Sequence, residues 1–143
     1  MSLIYTLVRR KDMSTGASPD AKLYYGQTSV TKQLKINQIC TRIERLCTAS
    51  RGDILLVLDG LMKVMNDALT EGESVHLGEF GSFRMVAGSR GCINAEDFDT
   101  SLFKRPRIVF YPGTMLIGST KNITFERFTP KKDAALEEEE ETV

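Results

Sequence analysis

Val75-His76-Leu77-Gly78-Glu79-Phe80-Gly81-Ser82-Phe83 alternates in the manner of a half-buried strand, with glycines set among aromatic and polar residues. The alternation predicts a strand over 75–86. A second strand over 107–111, Arg107-Ile108-Val109-Phe110-Tyr111, is closed by Pro112-Gly113. The connection between them, 87–105, is basic at its ends and poor in apolar residues, so it reads as an arm leaving the body. Such an arm reaches for a partner.

Upstream, Ile36, Ile39, Cys40, Ile43, Leu46 and Cys47 recur in steps of three and four, which predicts a helix over 31–48 with one buried stripe. Ser50 stands three positions before Asp53, a capping-box start in which Asp replaces the usual Glu. A second helix over 51–71 then faces inward through Ile54, Leu58, Leu61, Met65 and Leu69, and Gly72 supplies its left-handed stop. Nearer the N-terminus, 4–8 and Leu23-Tyr24-Tyr25 read as two short strands of a hairpin around a Ser/Gly/Pro-rich loop. After Gly113, 115–119 reads as a short helix or turn, and the alternation at 121–128 predicts a last strand.

The chain has 143 residues, room for one domain and a short appendage. Its 19 basic and 19 acidic side chains cancel, but unevenly. Asp133 and the run Glu137 to Glu141 place six acids in a C-terminal tail, leaving 19 basic against 13 acidic residues over 1–132. The folded part is therefore cationic, and the tail has the composition of a solvated, disordered segment. Cys40, Cys47 and Cys92 form no C-x-x-C pair, and His76 is the single imidazole, so a zinc site is not expected. Cys40 and Cys47 fall on one helix face and read as buried apolar thiols. No apolar run is long enough for a membrane span. The N-terminus turns polar at Thr6 and basic at Arg9, unlike a secretory signal. A cytoplasmic location follows as the expectation. Neither a phosphate-binding loop nor a defensible acid/base pair is present, so no enzyme, cofactor, metal or small-molecule substrate is expected.

The segment Gly78-Glu79-Phe80-Gly81-Ser82-Phe83 after a helix pair resembles the G-F-G-T-F segment of the bacterial histone-like HU and integration host factor family. Glu71-Gly72-Glu73-Ser74-Val75 is similar to that family's turn into the sheet, and Phe110-Tyr111-Pro112-Gly113 to its F-x-P-G return. The extra Tyr-containing hairpin resembles the longer HU-like branch. The resemblance implies an α+β fold: a helical hairpin packed on an antiparallel sheet with a protruding β-arm, in an intertwined dimer. It implies a division into an N-terminal hairpin (1–29), an HU-like DNA-binding domain (30–128) and the acidic tail (129–143). Phe80, Gly81, Phe83 and Phe110 would form the dimer core. Arg84, Arg90, Lys104, Arg105 and Arg107 would contact double-stranded DNA, since cations along a groove gain affinity by releasing counterions from phosphate. HU and integration host factor are standard examples of arms entering the minor groove.

The resemblance implies an architectural, nucleoid-associated homodimer with little base readout. The chain departs from the family at the arm. No proline stands near its tip to wedge base pairs apart, and Glu96, Asp97 and Asp99 would repel phosphate. Ile93 or Phe98 is left as an apolar wedge. The competing expectation is an HU-shaped dimer serving as a protein-interaction or assembly module, with DNA binding weak or lost.

Overall fold

The computed structural model describes residues 1–129, and the acidic run of the tail lies outside them. In chain order the elements are β1 (Ser2–Lys11), β2 (Lys22–Thr28), α1 (Ile36–Leu46), α2 (Arg51–Thr70), β3 (Val75–His76), β4 (Gly81–Val86), β5 (Arg107–Pro112), α3 (Thr114–Ser119) and β6 (Thr124–Arg127). They are mixed α and β, grouped into two compact units: Met1–Gln33 with 122–129, and Leu34–Lys121.

In the first unit, β1 and β2 pair antiparallel from Tyr5↔Thr28 to Lys11↔Lys22. The loop between them turns on Gly16 at φ +87 and on the Asp12 carboxylate, which accepts from the Ser14 amide at 2.8 Å. Strand β6 joins the other edge of β1 in parallel, Ser2↔Thr124 through Tyr5↔Arg127, so the sheet order is β2-β1-β6. The alternation at 121–128 gave a strand but could not name its neighbour. That neighbour is β1 and not the 75–112 sheet.

In the second unit, α1 and α2 form the helical hairpin. Helix α1 begins at Ile36, later than the periodicity suggested, where the Gln38 side chain accepts from the Lys35 amide at 3.1 Å. The Ser50 hydroxyl accepts from the Asp53 amide at 3.2 Å, and the Asp53 carboxylate accepts from the Ser50 amide at 3.0 Å, closing the capping box. Arg51 ties the hairpin by donating to Thr41 Oγ1 at 2.9 Å and to Asn37 Oδ1 at 3.3 Å. On α2 the expected inner stripe is the one withdrawn from solvent, with Ile54 and Leu69 buried. Cys40 is fully buried on α1, but the expectation for Cys47 fails: it caps the helix end, exposed, with its thiol donating to the Ile43 carbonyl at 3.3 Å. The inward stripe of α1 runs out one turn earlier than the spacing implied.

The strand expected over 75–86 is in fact two strands around a tight turn. Gly78 takes φ +61 and Gly81 φ +134, backbone that L side chains rarely adopt. Between them Gly78–Phe80 forms one 3-10 turn, and the chain reverses so that Val75 pairs with Phe83 and His76 with Ser82. Strand β4 then pairs antiparallel with β5 from Gly81↔Pro112 to Val86↔Arg107, giving the order β3-β4-β5. Helix α2 packs on β3 and β4, and α3 packs on the Gly78–Phe80 turn and β5.

The two glycine motifs interlock. The Gly113 amide donates to the Phe80 carbonyl at 3.1 Å, and the Leu77 amide to the Gly81 carbonyl at 2.8 Å. A Cβ on Gly81 would overlap the Tyr111 carbonyl and come 2.8 Å from the Phe110 ring, while one on Gly113 would overlap the Glu79 backbone. Gly81→Ala is expected to cost about 2–4 kcal/mol through strain and overpacking together, read as a lowered urea midpoint. Gly60→Ala, on an open helix face with nothing within 4 Å, should be neutral or stabilising by comparison.

Candidate functional site

Antiparallel register puts directly paired side chains on the same face of a sheet, and in β4–β5 this separates two chemistries. Phe83 pairs with Phe110 and Met85 with Ile108, so one face is apolar. Ser82 pairs with Tyr111, Arg84 with Val109 and Val86 with Arg107, so the opposite face carries the polar groups. His76 joins that polar face through its pairing with Ser82.

The expected aromatic set is brought together on the apolar face. Phe83 and Phe110 stack with ring centroids 4.8 Å apart, and Phe80 adds tilted contacts at 6.2 Å to Phe83 and 5.8 Å to Phe110. All three distances fall within the favourable range for aromatic pairs. The buried Gly81 lies under this cluster, where only a hydrogen leaves room for the Phe110 ring. The cluster is not sealed within the chain, since Phe80 remains 55% exposed.

The expected cations divide between the sheet and the connection. Arg84 and Arg107 share the polar face of β4–β5. Arg84 donates to the Tyr111 hydroxyl at 2.6 Å, with its guanidinium carbon 4.5 Å from the centroid of the same ring. The contact is a hydroxyl oxygen and a ring face, with no carboxylate, so the guanidinium is aligned without a salt bridge. Ser74, His76, Ser82, Phe83, Arg84 and Tyr111 line a shallow cavity of about 220 Å³. Tyr111 and Ser82 were not among the expected site residues. The signal was strand parity: each sits one position from a phenylalanine of the apolar face and so faces the other way.

Arg90, Lys104 and Arg105 lie exposed on the connection, which differs from the ribbon expected. Pairing beyond the β4–β5 ladder is limited to a bridge at Ser89↔Phe103, flanked by bonds from the Lys104 amide to Gly88 at 2.7 Å and the Arg90 amide to Leu102 at 2.9 Å. Beyond these, Ala95–Asp97 and Thr100–Leu102 form 3-10 turns. Acidic side chains build those turns: Asp97 accepts from Asn94 Nδ2 at 3.2 Å, and Asp99 from the Ser101 hydroxyl at 2.6 Å. Phe98 packs edge-on against Phe103 at 5.5 Å, within the connection itself, whereas Ile93 is fully exposed. Among the described residues the only salt bridge is Lys63–Asp59 on α2, so no carboxylate there neutralises the five expected cations.

Among the described residues there is no cluster of three His, Cys, Asp or Glu side chains able to hold a metal, and no helix long and apolar enough to cross a membrane. The Ser101 hydroxyl first, then the Thr100 and Ser101 amides, holds the Asp99 carboxyl below its ordinary range. A depressed folded-state value means the contribution is present above the unfolded value and is lost as pH falls through the folded one. Titration by NMR should therefore show the Ser101 amide shift holding to lower pH than an unpaired aspartate allows, and Ser101→Ala should move that midpoint upward.

Residues 1–127 match the family described as "HU domain fused to wHTH, Ig, or Glycine-rich motif". A solved structure from Bacteroides vulgatus ATCC 8482, provisionally assigned as a bacterial DNA-binding protein, superposes with a TM-score of 0.57 at 22% identity. The match covers 92% of this chain and 51% of that one, so the present chain spans about half the length of that relative. At this identity the likeness speaks to fold alone. No curated protein matches the sequence. The family match extends from the first strand through the last and includes both glycine motifs, and the chain belongs to the HU-HIG family of HU domains.

Proposed function

We propose that the unit Leu34–Lys121 is an HU-like DNA-binding body that works as a dimer. In this reading a second copy covers the apolar face of its sheet, and duplex DNA lies along the cationic face. The observation that carries it is the division of β4–β5 into an aromatic face and a face bearing Arg84 and Arg107, continued by Arg90, Lys104 and Arg105. Family membership supports DNA as the partner. Phosphate recognition needs only cations spaced along a groove, which fits an architectural role with little base readout.

The argument for a second copy is unburied apolar surface. Among the described residues, only Cys40, Ile54 and Leu69 are buried hydrophobics. Leu55 and Met62 flank the inner stripe of α2 on one side, Val57 and Val64 on the other, and all four are exposed. Ile108 is 57% exposed beside the phenylalanine cluster. At about 25 cal/mol per Å² of apolar area removed from water, covering these side chains supplies ample driving force for association. Phe80, Phe83 and Phe110 would lie at that seam, with Gly81 beneath them.

A competing reading, a protein-interaction or assembly module, draws on the connection, whose tip is folded by Asp97 and Asp99 and carries no proline wedge. Fluorescence anisotropy on a labelled duplex across a salt series separates the two. The DNA reading predicts a steep log–log slope, about 0.9 per phosphate contact. Arg84→Glu, Arg90→Glu or Lys104→Glu should each flatten it, by roughly 1.8 per dimer if each copy loses one contact. Sedimentation should give about twice the 16.0 kDa chain mass for all of them. Salt-insensitive or absent binding with the dimer intact would favour the assembly module.

A further inference from the structure

The sheet β2-β1-β6 has a face that the duplex reading leaves unused. Register places Leu3 beside Phe125, Tyr5 between Thr28 and Arg127, Leu7 beside Gly26, and Arg9 beside Tyr24 on one side of the sheet. Tyr24 is 67% exposed and Phe125 66% exposed, large aromatic surfaces left in water. The Arg9 guanidinium carbon lies 5.6 Å from the Tyr24 ring centroid. Lys22 follows two positions before Tyr24 on the same side. Glu126 is the one carboxylate on the three strands, and register turns it to the opposite face, where the Ser2 hydroxyl donates to it at 3.1 Å. Aromatic rings are therefore interleaved with Arg9, Arg127 and Lys22, with no acid among them.

Between the aromatics the sheet opens. Gly26 interrupts the row of side chains on β2, and Tyr5, Gly26, Thr28 and Phe125 line a shallow, open cavity of about 340 Å³. A Cβ at Gly26 would meet only the Tyr5 ring at 3.6 Å, an ordinary contact, so the glycine is not required by backbone or close packing. Its effect is to leave a slot flanked by rings.

We propose that this face is a stacking platform for single-stranded nucleic acid. Unpaired bases lie on Tyr24 and Phe125 and enter the slot over Gly26, while Arg9, Lys22 and Arg127 hold the phosphates. Charge complementarity selects the polyanion: a duplex hides the faces of its bases, and an apolar protein partner would leave these cations unanswered. Base–aromatic stacking tolerates any sequence because every base has a π-face. The surface is separate from the sheet proposed to hold duplex, so the two can fail independently.

The test uses the full chain with labelled oligothymidylate and oligouridylate of equal length, read by anisotropy and by quenching of tyrosine emission. Four tyrosines and no tryptophan make that emission a direct report of stacking. The wild-type protein should bind both strands with quenching if the shared base-and-phosphate chemistry suffices, or one of them if the sugar is also read. Tyr24→Ala and Phe125→Ala should each weaken binding by about 5- to 150-fold, the range for loss of one stacked base. Gly26→Leu, which fills the slot without backbone strain, should weaken it as well. Tyr25→Ala on the opposite face should not, and Arg90→Glu should reduce duplex binding while sparing the single strand. Absence of single-strand binding at low salt overturns the proposal. So does an equal loss from Tyr25→Ala, or a change in sedimenting mass on Tyr24→Ala, which would make the face a seam between copies.

Discussion

The second unit depends on a backbone-to-backbone clasp between Gly81 and Gly113. Gly81 bends at φ +134 so that the Gly78–Phe80 turn can lie against the return of β5, and the Gly113 amide closes the contact on the Phe80 carbonyl. No side chain larger than hydrogen fits at either glycine. The clasp sets the register Gly81↔Pro112, and register decides which face every later residue occupies. A slip of one residue would bring Arg84 to the aromatic face and Phe83 to the cationic one.

From that register the rest of the proposed interface follows. Phe83 and Phe110 stack because they are paired, and Phe80 reaches them because the turn folds back beneath. Arg84 meets the Tyr111 hydroxyl and ring because the two lie diagonally across the same strands. One sheet thus carries an apolar face and a face with ordered positive charge, and neither face needs the other's residues. The connection adds exposed cations at its base, while Asp97 and Asp99 near its tip are hydrogen-bonded within the turns.

Much of this was legible in the residues because it is local. The capping pair Ser50 and Asp53, the inner stripe of α2 and the hairpin at the N-terminus all follow from spacings shorter than a helical turn or a strand pair. The two glycine motifs gave the family. The larger features that were not legible depend on longer-range geometry. The Val75–Phe83 stretch looked like one strand because alternation ignores φ, and two positive-φ glycines break it. The connection looked extended because Asn94, Asp97, Asp99 and Ser101 reveal their turn-forming role only through bonds to one another. The partner of the last strand is set by pairing across more than a hundred residues, which periodicity cannot carry.

Hydrogen–deuterium exchange with and without duplex DNA tests the account most directly. Bound DNA is predicted to slow exchange at the amides of 84–90 and 102–107, while the α2 segment 55–64, which the proposed dimer assigns to the second copy, keeps the same protection with or without DNA. Protection appearing instead in 55–64 on DNA addition, with 84–90 and 102–107 unchanged, would contradict the assignment of the two faces.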